Sequence, residues 1–256
     1  MLLSGGTVAA LCGFAFLAGF VDSIVGGGGL IQVPALLVLL PGVPIPTLFG
    51  TNKVASAMGT TAAVLRYARD LRIDWHLVLP AGVASFACSW AGARAVSGLD
   101  ERVLRPVVLL LLLAVGLYTW RARELGAVHA PALRRGVDIA VAALMGAALG
   151  FYDGFFGPGT GSFLIFAFIA LFGFDFLAAT SSAKVLNLGS NLSAALYFSA
   201  TDQVLVGAAL PMGAASVLGA TLGSRFALAR GVGLVRGFFL LVVAALVLKL
   251  GWDLLA

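Results

Sequence analysis

Four side chains in this 256-residue sequence place charge deep in apolar surroundings: Asp22, Lys53, Asp153 and Lys184. Asp22 stands in GFVDSIVGGGGL (19–30), just before Gly26, Gly27, Gly28 and Gly29, and Asp153 stands in GFYDGFFGPGTG (150–161), just before Gly157, Gly159, Thr160 and Gly161. Glycine lets the backbone approach a ligand and adopt positive φ. Where such a run opens a helix, the unpaired N–H groups of the first turn and the helix dipole favour an anion. Lys53 (TLFGTNKVASAMGTT) and Lys184 (AATSSAKVLNLGSN) each lie near the start of a segment rich in small hydroxyl and amide residues. In helical register Asn187 and Asn191 share a face with Lys184, and Ser56 and Thr60 hold the same offsets from Lys53. Two ammonium groups converging on one point would suit a small oxyanion. Thr51, Asn52, Ser181, Ser182, Asn187 and Asn191 would complete its shell with hydrogen bonds. Two competing readings stand beside this one: glycines that only let helices pack closely, and lysines that only neutralise Asp22 and Asp153. Binding and pairing can coexist, because an Asp–Lys pair that opens could carry a coupling proton.

The elements that position these residues follow from composition. Hydrophobic residues make up 61% of the chain and charged residues 11%, with a mean hydropathy of +1.07. Soluble domains are nearer a quarter charged, so the chain reads as an integral membrane protein. Long apolar runs without barrel-type alternation predict an all-α polytopic fold. Ten apolar segments are expected: 5–21, 27–40, 47–65, 76–93 and 103–120, then 136–152, 159–172, 178–198, 204–224 and 235–252. The second of each five is short and follows a glycine turn.

The chain is also a repeat. A shift of 131 residues lays Gly19, Asp22, Gly26, Gly28, Lys53, Pro80, Ser85, Gly92, Arg94 and Arg105 on identical residue types, without a gap. Apolar coincidences are cheap here, but Asp, Lys, Pro and Arg matches are not, and two of only three lysines are repeat mates. The expected halves are 1–125 and 126–256. Basic residues concentrate on the cytoplasmic side of membrane proteins. With five crossings per half the repeats are inverted, and the connections 66–75, 121–135 and 225–236 share one side, collecting ten basic residues against three opposite. If the short segments dip in and return, the repeats are parallel and the split is seven against six. The charges favour inversion.

Other features exclude more than they assign. The N-terminus MLLSGGTVAA lacks a basic region, so a cleaved leader is not expected and the apolar start belongs to the first segment. Cys12, Cys88, His76 and His129 have no metal spacing, and neither a metal nor a cofactor is expected. Pro41, Pro44 and Pro46 mark a connection, Pro80 and Pro211 are expected to cap or kink helices, and Trp75, Trp90, Trp120 and Trp252 read as interfacial anchors. Motifs of embedded proteases, serine hydrolases and Walker ATPases are missing. The net charge of +5 orients a membrane protein rather than pointing to nucleic acid.

The G-x-x-D-S-x-x-G-G-G-G turn from Gly19 to Gly29, followed by Gly50-Thr51-Asn52-Lys53, resembles the sulfite exporter TauE/SafE family of membrane permeases. Gly150 through Gly161 and Ser181-Ser182-Ala183-Lys184 are the second-half mates, and the resemblance spans nearly the whole chain. It implies a bacterial, multi-pass protein of the cytoplasmic membrane that moves sulfite, sulfoacetate, other organosulfonates or thiosulfate. Pro158 and Thr160 interrupt the second glycine run, and Ala183 replaces Asn52, so Asn52 would give one side of an anion a contact that the other lacks. The expectation is a secondary transporter working by alternating access, with sulfite leading. Asp22 and Asp153 serve proton coupling or charge pairing. A passive anion channel is the alternative, and a membrane-embedded enzyme or a scaffold is weaker. Partners are a small anion and the bilayer, with self-association left open.

Overall fold

The computed structural model describes residues 4–121 and 137–230. Among the described residues the fold is all helical, with α1 (Gly5–Val25), α2 (Gly29–Leu39), α3 (Ile45–Asp70), α4 (Trp75–Ser97), α5 (Glu101–Arg121), α6 (Val137–Phe155), α7 (Thr160–Phe172), α8 (Phe176–Ala200) and α9 (Val206–Arg230). Of these, α1, α4, α6 and α9 are long and apolar enough to cross a membrane. The expected tenth segment, 235–252, lies outside the described residues, as do His129 and Trp252.

Local chemistry sets the helix ends, and several differ from the apolar runs. The Ser4 hydroxyl accepts from the Thr7 N–H at 3.1 Å, and the Asp175 carboxylate accepts from the Ala178 N–H at 2.9 Å. These caps satisfy donors that a first turn leaves free. Pro44 is the N-cap of α3 and Pro46 lies in its first turn, not in a connection, because a proline there removes an N–H that has no helical partner. Pro80 and Pro211 lie inside α4 and α9 rather than at their ends. The connection expected at 66–75 is helical as far as Asp70, where Arg66 Nε meets Asp70 Oδ2 at 2.8 Å one turn on. Trp75 opens α4 as an end residue, whereas Trp90 lies within it, edge-on to Tyr197.

The 131-residue shift carries the starts of α2, α3 and α4 onto those of α7, α8 and α9. Contacts obey the same shift with the halves exchanged: α1 packs on α9 as α6 packs on α4, α3 packs on α9 as α8 packs on α4, and α3 and α8 pack on each other. Glycines permit the closest approaches. A Cβ on Gly19 would strike the Ser216 carbonyl, and one on its mate Gly150 would strike that of Ser85. Close packing is therefore the role of these helix-face glycines.

At about 1.5 Å per residue, α2 and α7 are about 16 and 20 Å long, well short of about 30 Å of hydrocarbon. Each folds back along the helix before it. Leu11 and Ala15 of α1 share a core cluster with Leu36 of α2 and Leu40, and Ala142 and Met145 of α6 share one with Phe168 and Phe172 of α7. The glycine turns are thus the tips of two helical hairpins, buried in the molecule.

Candidate functional site

The turns need glycine at particular points. Gly26 and Gly27 have φ of 74° and 90°, and Gly157 and Gly159 have φ of 95° and 86°, a region that side chains strain. The tips also touch. A Cβ on Gly26 would meet the Gly161 backbone, and one on Gly29 would lie 3.0 Å from Pro158 Cα. One on Gly157 would lie 2.9 Å from Lys53 Nζ, so the bare backbone makes room for the ammonium group.

Both lysines sit on the central pair of helices, α3 and α8, and both are buried. Each pairs with the acid of the other half. Lys53 Nζ lies 2.8 Å from Asp153 Oδ2, and Lys184 Nζ lies 2.6 Å from Asp22 Oδ2. Lys53 also donates to Asn191 Oδ1 at 3.2 Å, and the Gly28 N–H donates to Asp22 Oδ1 at 3.1 Å. A buried charge needs a partner and hydrogen bonds, and crossing the pairs supplies both while tying the halves together.

A cavity lies among these groups, lined by Asp22, Gly27, Gly29, Asn52, Lys53, Ser56, Asp153, Gly157, Gly159, Gly161, Asn187 and Asn191. About 20 Å³ of it is open to the centre of a water molecule, room for a water rather than a larger oxyanion. Eleven of the eighteen residues proposed from sequence form this wall; the other seven stand behind it. Lys184 faces Asp22. Gly26 and Gly28 shape the first tip, and the Thr160 hydroxyl closes the second by donating to the Gly157 carbonyl at 2.7 Å. Thr51 is structural in its contacts: its hydroxyl donates to the Thr47 carbonyl at 2.7 Å and accepts from the Leu205 N–H at 3.0 Å. The Ser181 hydroxyl donates to the Ala178 carbonyl at 3.0 Å, and Ser182 is buried on α8 away from the cavity. The lysines do not converge as two free ammonium groups; each is held by a carboxylate.

Two residues outside that set belong here. The Ser56 hydroxyl lines the cavity and donates to Gln32 Oε1 at 3.2 Å. Gln32 is 2% exposed, and its Nε2 has no hydrogen-bond partner among the described residues. Ser56 was legible from its offset to Lys53; Gln32 was masked by its apolar neighbours in LIQVPALL.

The description "Sulfite exporter TauE/SafE" belongs to the family model that matches residues 11–250. The chain is 38% identical over 239 residues to the probable membrane transporter protein ORF9 of a Sinorhizobium species, covering 93% of this chain and 90% of that protein. It is 36% identical to the probable membrane transporter protein YfcA of Escherichia coli strain K12, covering 93% and 87%. A probable membrane transporter protein of Haemophilus influenzae is 35% identical, covering 93% and 92%. No solved structure matches this chain. With its glycine hairpins, its apolar helices and a match over nearly its whole length, this chain belongs to the sulfite exporter TauE/SafE family of multi-pass membrane transporters.

Proposed function

We propose that the protein is a secondary transporter of the bacterial cytoplasmic membrane that carries a small sulfur-containing anion, sulfite foremost, by alternating access. The observation that carries this reading is the pair of crossed Lys–Asp contacts enclosing one cavity between two glycine tips. Discontinuous helices meeting at the interface of repeats are where transporters of this architecture bind their cargo. The anion would sit against the tip amides, with Lys53 beside it and Asn52, Asn187 and Asn191 donating from the wall. Lys184 supplies charge from behind Asp22.

The four charges sum to zero, so an anion entering the closed site meets two carboxylates as well as two ammonium groups. Protonating a carboxylate frees its lysine for the anion and cancels the repulsion. The reading therefore includes proton coupling through Asp22 or Asp153, with the pairs parting to make room for the cargo. The helix arrangement supports inverted halves. Because α2 runs back along α1, and α7 along α6, each hairpin returns the chain to the side it left. In the first half three further helices, α3, α4 and α5, then bring the chain out on the opposite side, so that the second hairpin enters inverted. Ten basic residues then gather on the cytoplasmic face against three opposite.

Counterflow of radiolabelled sulfite in proteoliposomes tests the reading. Wild type should accumulate label against unlabelled internal sulfite, and Lys53→Ala should abolish it. Flux without counterflow would make the protein a channel. Unimpaired counterflow in Lys53→Ala would remove Lys53 from the site, and a folded wild type without sulfite transport would refute the substrate.

A further inference from the structure

A second cavity adjoins the first on the first-half side, lined among others by Asp22, Gln32, Ser56, Thr60 and Ser216. It offers about 10 Å³ to the centre of a water molecule, room for about one water. All of its polar groups can bind water, and the buried Gln32 Nε2, which has no partner among the described residues, supplies the donor that a water oxygen would satisfy. The repeat mates differ here: Phe163 replaces Gln32, Asn187 replaces Ser56, Ser190 replaces Gly59 and Asn191 replaces Thr60. The second-half residues are larger or apolar, and Asn191 spends its oxygen on Lys53. The two acids differ accordingly. The Asp22 side chain is 20% exposed, whereas that of Asp153 is 2% exposed.

We propose that this cavity is a water site serving Asp22 alone, so that the two Lys–Asp pairs do unequal work. Asp22 takes up and releases the coupling proton through the water beside Gln32, while Asp153 keeps Lys53 in place and joins the halves. When a proton arrives from that water, it binds an Asp22 carboxylate oxygen, and the Lys184 ammonium group, still charged, loses its partner and turns to the anion. The groups facing Asp22 are Lys184 from α8, Lys53 and Tyr67 from α3, the Gly28 N–H at the start of α2 and the neutral Ser216 hydroxyl from α9. This inference rests on the proton-coupled reading above, but its test does not need transport.

The test is modification of the purified full-length protein by a hydrophobic carbodiimide, which adds to a protonated carboxyl and leaves a stable acylurea that peptide mass spectrometry can map. Asp22 should be modified several-fold faster than Asp153, because the reagent can reach a side chain that is 20% exposed beside a cavity more readily than one that is 2% exposed. Gln32→Leu and Thr60→Asn, the second copied from the mate at Asn191, should each bring the Asp22 rate down towards that of Asp153. Gln32→Leu should lower the melting temperature only slightly, because the Ser56 hydroxyl that loses Gln32 Oε1 can turn to Asn52 Oδ1. A residue with only a packing role would change melting without changing modification. The inference is overturned if Asp153 reacts as fast as Asp22 in wild type, or if neither variant slows Asp22. Absent sulfite counterflow beside selective Asp22 modification refutes the substrate reading alone; counterflow beside equal modification refutes this inference alone.

Discussion

The pair Lys53–Asp153 allows the charge argument to be measured. Two unit charges 2.8 Å apart attract by about 6 kcal/mol at an effective dielectric of about 20, before desolvation is subtracted. Desolvation of two buried ions takes back much of that gain, so the net worth of the pair is small, while the loss on removing one partner is large. Asp153→Leu and Lys53→Met should each destabilise the protein by about 3–5 kcal/mol, because each strands a charge that is only 2% exposed. Asp153→Leu should fall at the lower end, since Asn191 still accepts from the ammonium group at 3.2 Å. The double variant Lys53→Met/Asp153→Leu should return close to wild-type stability or exceed it by about 1–4 kcal/mol, since no ion is left unpaired. The assay is reversible unfolding in mixed micelles on all four proteins, with sulfite counterflow measured in parallel. The double variant should fold and fail to transport. Single costs that add within about 0.5 kcal/mol would show the two charges to be uncoupled and refute the reasoning. Counterflow surviving in the double variant would show that the pair holds the fold and nothing more.

Three further outcomes follow from particular contacts. Gly150→Ala should lower stability by about 1–3 kcal/mol, since its methyl would strike the Ser85 backbone, whereas Gly82→Ala, with nothing within 4 Å, should gain about 1 kcal/mol of helix propensity; thermal melting in detergent separates them. Thr51→Val should cost about 1–3 kcal/mol by orphaning the Leu205 N–H, while Thr51→Ser keeps both stability and counterflow, as expected of a residue that does not touch the cargo. In a background lacking Cys12 and Cys88, an impermeant maleimide applied outside intact cells should label Asp202→Cys, and Ile73→Cys only after permeabilisation. The same side for both would refute inversion, because these positions fall in the mated connections after α8 and α3.

How far the sequence could be read depended on what kind of signal each feature leaves. Apolar runs located the nine described helices to within about two turns, and the largest errors, at the ends of α3 and α9, fell where polar residues continue a helix. Arg66 to Asp70 extend α3 beyond its apolar stretch because one salt bridge satisfies both charges. Pro46 was misplaced because proline breaks helix interiors but is tolerated in a first turn. The glycine tips and the lysines were visible because they recur at a fixed spacing. The crossing of the pairs was not, since a duplicated sequence is equally consistent with Lys53 meeting Asp22. Only tertiary packing selects between those partners. Gln32 escaped for the opposite reason: its mate is Phe163, so a search for repeated polar residues discards it.

The exchange of partners has a consequence for how such a protein is made and how it can change. Two subunits in which each lysine reaches the acid of its neighbour form a homodimer with a two-fold axis, and this chain has the contacts of such a dimer fused end to end. Each half completes the other's ion pairs, so during synthesis Asp22 can meet the partner it has in the folded protein, Lys184, only once a residue 162 positions later has been made. Fusion also lifts a restriction. In a homodimer every substitution appears twice, whereas here Gln32 can face the space that Phe163 fills on the other side, and Thr60 can stay short where Asn191 has grown long. Joining the copies is what allows two equal ion pairs to become unequal, with only one of them beside the second cavity.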